Sequence, residues 1–234
     1  MVNMLYIKDT KFALHPFGAA AGGNLIMVKS NTHTRLGYIT RMGALLAIII
    51  ILTAFNIGYI PVGPIVATIY QVPVIVGAVI LGPSAGSVLG GVWGVFSFIL
   101  ALTGNTTDVV ALATIQQSPF IYFIISFVPR LLTGLLPGLL FKLLTRIEFF
   151  KNIRFITCGI TGAVGSLVNT ILYLGALYLL IRELLASLFN IEIGAVGAMV
   201  MGVAMTNGLV EAAVSFVLVA AICSALIHFL PMKK

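Results

Sequence analysis

Residues 195–230 read AVGAMVMGVAMTNGLVEAAVSFVLVAAICSALIHFL, with Glu211 as their single Asp, Glu, Lys or Arg. A bilayer crossing needs about 20 predominantly apolar residues. A helix that is apolar on every face has no side to turn to water, so this stretch reads as a membrane span. Working outward, five more apolar segments stand at roughly 37–58, 65–82, 84–103, 118–145 and 153–181, with boundaries good to about 2–4 residues. The whole chain agrees. Of its 234 residues 60% are hydrophobic and 8% charged, against about a quarter charged in a soluble domain. The fold class is all-α, an integral membrane protein of six transmembrane helices. The composition excludes a disordered chain, a coiled coil and a nucleic-acid reader.

The breaks between spans carry their own signals. Gly82-Pro83-Ser84 is a tight turn between the second and third. Gly58-Tyr59-Ile60-Pro61-Val62-Gly63-Pro64 holds two prolines and two glycines, and reads as a loop that packs on or covers something. Orientation follows from Lys and Arg. Lys8, Lys11, Lys29, Arg35, Arg41, Lys142, Arg146, Lys151, Arg154, Lys233 and Lys234 all fall on one side of a six-span path. The other side has Arg182 with Asp108, Glu183 and Glu192. Both termini are expected in the cytoplasm of a multi-pass cell-membrane protein. The net charge of +7 is thereby explained without nucleic acid. Residues 1–34 read as a cytoplasmic extension, disordered in part and without a signal peptide, and 35–232 as the membrane domain.

Two charges stay inside the spans, Arg130 and Glu211. A charge at the bilayer centre costs at least about 2.5–3.5 kcal/mol on insertion scales, so it usually faces the protein interior and has a task. Asn207 and Glu211 share one helix face, being four residues apart. Asn169 in the fifth segment, Gln71 at the start of the second and Trp93 inside the third lie at related depths. Together they describe a pocket for a small polar ligand. The competing reading is structural: Arg130 and Glu211 neutralise each other and hold two helices in register, Asn169 makes an interhelical hydrogen bond, and Trp93 packs. Both readings stay open at this point. Gly86, Gly90 and Gly94 form a double GxxxG stripe, with similar pairs at Gly43 and Ala47, Gly134 and Gly138, and Gly208 and Ala212. Such stripes let helices approach closely or offer a face to another subunit.

Other chemistry is missing. The chain has no P-loop and no H-E-x-x-H. His15, His33 and His228 lie at the ends of the chain and are not expected to form a central metal site with each other, and no cofactor is expected. Cys158 and Cys223 sit in apolar runs and read as buried thiols. Gly82-Pro83-Ser84-Ala85-Gly86 matches G-x-S-x-G, but it lies in a turn between membrane helices rather than on a strand-to-helix elbow. The chain does not read as an enzyme.

The order of these features resembles the S components of energy-coupling factor (ECF) vitamin transporters. A basic N-terminus leads to Gly43-Ala44-Leu45-Leu46-Ala47 and a Pro/Gly-rich loop. Val72-Pro73-Val74-Ile75-Val76-Gly77-Ala78-Val79-Ile80-Leu81-Gly82-Pro83 runs into a glycine-rich third helix. Val128-Pro129-Arg130 with Gly134, Asn169-Thr170, and Asn207-Gly208 with Glu211 follow. The resemblance covers nearly all of 35–230 and is nearest to the pantothenate S components. It implies a six-helix subunit that binds one vitamin near its extracellular side and topples to deliver it. Its implied partners are a transmembrane coupling protein (EcfT-type), contacted at Gly43 and Ala47, and two ABC ATPases (EcfA-type). For pantothenate, Arg130 is expected to meet the carboxylate, and Asn169, Asn207 and Gln71 the hydroxyls and amide. Glu211 would orient Arg130 or accept a hydroxyl proton, and Tyr59, Tyr70 and Trp93 would form the apolar wall.

The alternatives are an S component for a pyridoxine-like compound, a pyrimidine or a queuosine precursor, in which the aromatic residues lead, and a self-sufficient secondary transporter. Against the latter, six spans are few and no paired broken helices mark inverted repeats.

Overall fold

A computed structural model describes residues 32–229 apart from Asn56, Gly58, Gly63 and Pro64. Its elements are α1 (Thr32–Ala54), β1 (Tyr59–Val62), β2 (Ile65–Thr68), α2 (Gln71–Leu81), α3 (Pro83–Leu102), α4 (Val109–Gln117), α5 (Pro119–Leu144), α6 (Glu148–Asn152), α7 (Arg154–Phe189) and α8 (Val196–Phe229). Among the described residues five helices, α1, α3, α5, α7 and α8, are long and apolar enough to cross a membrane. The expectation of an all-α chain needs one correction, because β1 and β2 pair as an antiparallel hairpin, Tyr59 opposite Thr68. This hairpin takes up the start of the second apolar segment. What remains is α2, 11 residues long. Such a helix rises only about 16 Å, half the hydrocarbon thickness of about 30 Å. Of the expected 1–34 extension, Thr32–Thr34 belong to α1, and residues 1–31 lie outside the described residues.

Direction still alternates along the chain. Thr53 at the end of α1, Tyr70 before α2, Leu100 near the end of α3, Asp108 before α4 and Tyr122 at the start of α5 line one cavity. At the opposite end Val79 of α2, Phe141 of α5, Cys158 of α7 and Cys223 and Ile227 of α8 share one apolar cluster. So α2, short as it is, runs back between α1 and α3. It tolerates its length because it is enclosed: Gln71 through Val79 are all buried, between α3, α5, α7, α8 and α1. The long helices instead turn large apolar side chains outward, among them Ile39, Ile51, Phe120, Ile171, Leu179 and Met205, which suits a lipid surround.

The helix ends follow local chemistry. Gly82 holds φ +104°, open to glycine and strained for other residues, and Pro83 then starts α3. Ser118 caps α5 through the amide of Ile121. Asn190 closes α7 in the left-handed conformation. α7 runs past the expected end near 181, bending at Ile181 (φ −138°, ψ 27°). α4 has no counterpart in the segments read from sequence.

α3 packs closely on α5 through the glycine stripe. A Cβ on Gly86 would collide with the Gly134 carbonyl, and one on Gly90 with the Arg130 carbonyl. On Gly94 it would stand 2.8 Å from Phe127 Cα. Backbone cannot yield as a side-chain end does, so the two helices must part if a methyl is added. Gly43 on α1 has nothing within 4 Å of such a Cβ. Gly90→Ala is therefore expected to destabilise the protein by about 1–3 kcal/mol, seen as a lower unfolding temperature in detergent. Gly43→Ala should leave that temperature unchanged; equal losses from both would refute the packing assignment.

Candidate functional site

Arg130 sits in the middle of α5, about 17 Å from its first turn at the helical rise. Its guanidinium carbon lies 4.7 Å from the Trp93 ring centroid of α3 and 5.5 Å from that of Tyr173 on α7. One terminal nitrogen, Nη1, donates to the Ser126 carbonyl at 2.7 Å. The Nε–H is buried and has no hydrogen-bond partner among the described residues. Two ring faces stabilise the cation by their quadrupoles, yet they accept no strong hydrogen bond. The arrangement keeps a charged group in the bundle while leaving it short of an anion.

This cation lines a cavity of about 50 Å³, together with Tyr70, Trp93, Ser97, Asp108 and Tyr122. The Tyr70 and Trp93 rings are 6.3 Å apart and tilted, both buried. A space of that size holds water-sized groups, whereas organic ligands usually occupy about 300–1,000 Å³, so the walls must part for one to enter. A larger open depression, about 450 Å³, lies on the outer side of α3 and α5 between Val88, Gly91, Val95 and Phe127. Its walls are apolar but for Ser87, whose hydroxyl donates to the Pro83 carbonyl within α3.

Sequence reading missed two members of the site. Asp108 was placed on the outer surface, and Tyr173 was not singled out. Asp108 caps α4, its Oδ1 accepting from the amides of Val110 and Ala111 at 3.0 and 3.1 Å. Its Oδ2 accepts from the Tyr173 hydroxyl at 3.2 Å. The capping position before Val109 was the one signal available.

The remaining expected residues form a second polar group behind the cavity. Gln71 donates to Ser166 Oγ at 3.2 Å. Thr170 donates to the Ser166 carbonyl and stands 3.3 Å from Glu211 Oε2 as its donor. Asn169 accepts from Thr133 at 3.3 Å. This network ties α2, α5, α7 and α8 together. Asn207 is half-buried on α8, one residue before Gly208, which abuts Thr170. Tyr59 lies in β1, and its side chain is outside the described residues. The structure thus brings Arg130, Trp93 and Tyr70 to one cavity. It places Gln71, Asn169 and Glu211 in hydrogen bonds between helices. Among the described residues no group of three His, Cys, Asp or Glu side chains is placed to hold a metal.

Residues 37–223 match the family described as the substrate-specific component of ECF transporters. The chain belongs to that family. It is 31% identical over 190 residues to the pantothenic acid transporter PanT of Lactococcus lactis, covering 78% of this chain and 88% of that protein. It is 30% identical over 146 residues to the pantothenate transporter PanT of Leuconostoc mesenteroides, covering 61% of this chain and 67% of that protein. As an S component, with several long apolar helices, it is a multi-pass membrane protein and a transport subunit.

Trp93 is the chain's single tryptophan, so its emission reports on the cation above its ring. Arg130→Met is expected to shift that emission in the S component. Thr170→Val should leave it in place while removing a hydrogen bond worth about 0.6 kcal/mol of stability. Identical spectra for wild type and Arg130→Met would mean that the ring and cation do not meet in solution.

Proposed function

We propose that this chain is the pantothenate-binding S component of an ECF-type ABC importer. The observation that carries the reading is the Arg130 guanidinium, held between Trp93 and Tyr173 with a buried N–H left without a partner. Pantothenate brings a carboxylate, an amide and two hydroxyls. Its carboxylate pairs with Arg130 in a charge-assisted bond, and Tyr70 and Trp93 form the apolar wall. Gln71, Asn169, Asn207 and Glu211 form the polar layer behind, reached by the amide once the cavity widens. The names of the two relatives support the choice of vitamin.

The membrane path is six passes, with α2 and its hairpin as the second. Five passes would put Lys142, Arg146, Lys151 and Arg154 on the side opposite Arg35 and Arg41, against the charge rule. Both termini are then cytoplasmic and the cavity faces outward. Transport proceeds by toppling of the S component against an EcfT-type coupling protein, reset by two EcfA-type ATPases. The chain itself has no P-loop. The docking face is α1, on which Gly43, Ala44 and Ala47 are exposed.

Calorimetric titration of the purified chain in detergent tests the ligand, using pantothenate, its neutral amide and pyridoxine. Saturable binding of pantothenate is expected, with Arg130→Ala weakening it by about tenfold or more. Preference for pyridoxine would sink the choice of vitamin, and equal binding of the amide would sink the Arg130 contact. The docking face has its own test. Gly43→Leu with Ala47→Leu should abolish co-purification with co-expressed coupling protein and ATPases, with pantothenate binding intact.

A further inference from the structure

We infer that Asp108 is a second ligand-contacting and specificity-determining residue of this site, accepting a hydrogen bond from a ligand hydroxyl, and that Tyr173 positions it. The inference rests on the pantothenate reading above and assigns the opposite end of the same ligand.

Asp108 and Arg130 line one small cavity with opposite charges. They do not collapse onto each other, and the hydrogen bonds show why. The Asp108 carboxylate is fixed on three sides, by the amides of Val110 and Ala111 and by the Tyr173 hydroxyl. An ionised carboxylate has about four acceptor positions, so one remains, on Oδ2. Arg130 is fixed by the Ser126 carbonyl and two ring faces. Tyr173 touches both partners, its ring facing Arg130 and its hydroxyl on Asp108. The phenol therefore acts as a spacer that keeps the anion apart from the cation.

The result is a bipolar site with an anion receptor at one end and an acceptor at the other. A carboxylate suits Arg130 and is repelled by Asp108. A hydroxyl suits Asp108, because it brings a proton to the open position. The substrate class that satisfies both ends is a monocarboxylate carrying hydroxyl donors at its far end. A molecule acidic at both ends is rejected by Asp108. One without hydroxyls leaves the last acceptor position dry and unpaired, which costs affinity.

The test uses the full chain in detergent and three ligands: pantothenate, its neutral amide, and an analogue with both hydroxyls replaced by hydrogen. Asp108→Ser keeps an N-cap of similar strength for α4 and removes Oδ2. Tyr173→Phe keeps the ring beside Arg130 and removes the spacer's hydroxyl. Wild type is expected to prefer pantothenate over the dideoxy analogue by about tenfold or more. Asp108→Ser should bring those two affinities together while leaving the preference for pantothenate over its amide, which reports on Arg130. Tyr173→Phe should narrow the hydroxyl preference in the same direction. Should Asp108→Ser weaken all three ligands equally, or keep the wild-type hydroxyl preference, Asp108 is structural and the inference fails while the pantothenate reading stands. Wild type that binds none of the three ligands overturns both.

Discussion

The backbone of α3 lies directly on the backbone of α5, and the rest of the site depends on that contact. Gly86 meets Gly134, Gly90 meets Arg130 and Gly94 meets Ser126 and Phe127. Any side chain in this row would hold the helices apart. Trp93 projects from the same stretch of α3, between Gly90 and Gly94. Close approach of the backbones therefore delivers its ring to the guanidinium at 4.7 Å. Sequence sets the glycines, the glycines set the interhelical distance, and that distance creates the cation–π contact.

A guanidinium inside a membrane bundle is costly, and the way its cost is offset determines what the site can do. A full salt bridge would stabilise it and would also block it. Aromatic faces contribute about 0.5–2 kcal/mol each, more when water is excluded, without occupying its N–H directions. The Ser126 carbonyl adds one hydrogen bond within α5. Arg130 is thus stabilised enough to be kept and left competent to take an anion. Glu211, the other intramembrane charge, has a hydrogen bond from Thr170 on α7, in a network that joins helices.

Much of this was legible in sequence. Six apolar runs gave the helical membrane fold, and Arg130 and Trp93 stood out because charge and tryptophan are rare inside such runs. Three features were not legible, each for a physical reason. Ile65–Thr68 is a run of apolar and β-branched residues before a helix, and periodicity does not separate a short apolar strand from the start of a buried span. Depth along a helix says nothing about rotation around it, so sequence left open whether Arg130 and Glu211 pair or line a pocket. Asp108 and Tyr173 are 65 residues apart, and only the tertiary path brings them together. Asp108 looked like an ordinary surface acid on the outer side, although it caps α4 and lines the cavity.

The small-residue pairs show how one sequence pattern takes two physical roles. Gly90 is spent inside, where a methyl would strike the Arg130 carbonyl, and Gly43 lies outside, where a methyl would strike nothing. The spacing is the same; the difference lies in what surrounds each helix. α3 is half enclosed, whereas α1 buries only a small part of its span and anchors to the bundle chiefly through Ile49 and its neighbours at Tyr70, Val74, Leu89 and Trp93. That anchor joins the outward face of α1 to the Trp93 wall of the cavity through one apolar cluster. Under the proposed docking at Gly43 and Ala47, a force on α1 would reach the Trp93 ring through this one cluster.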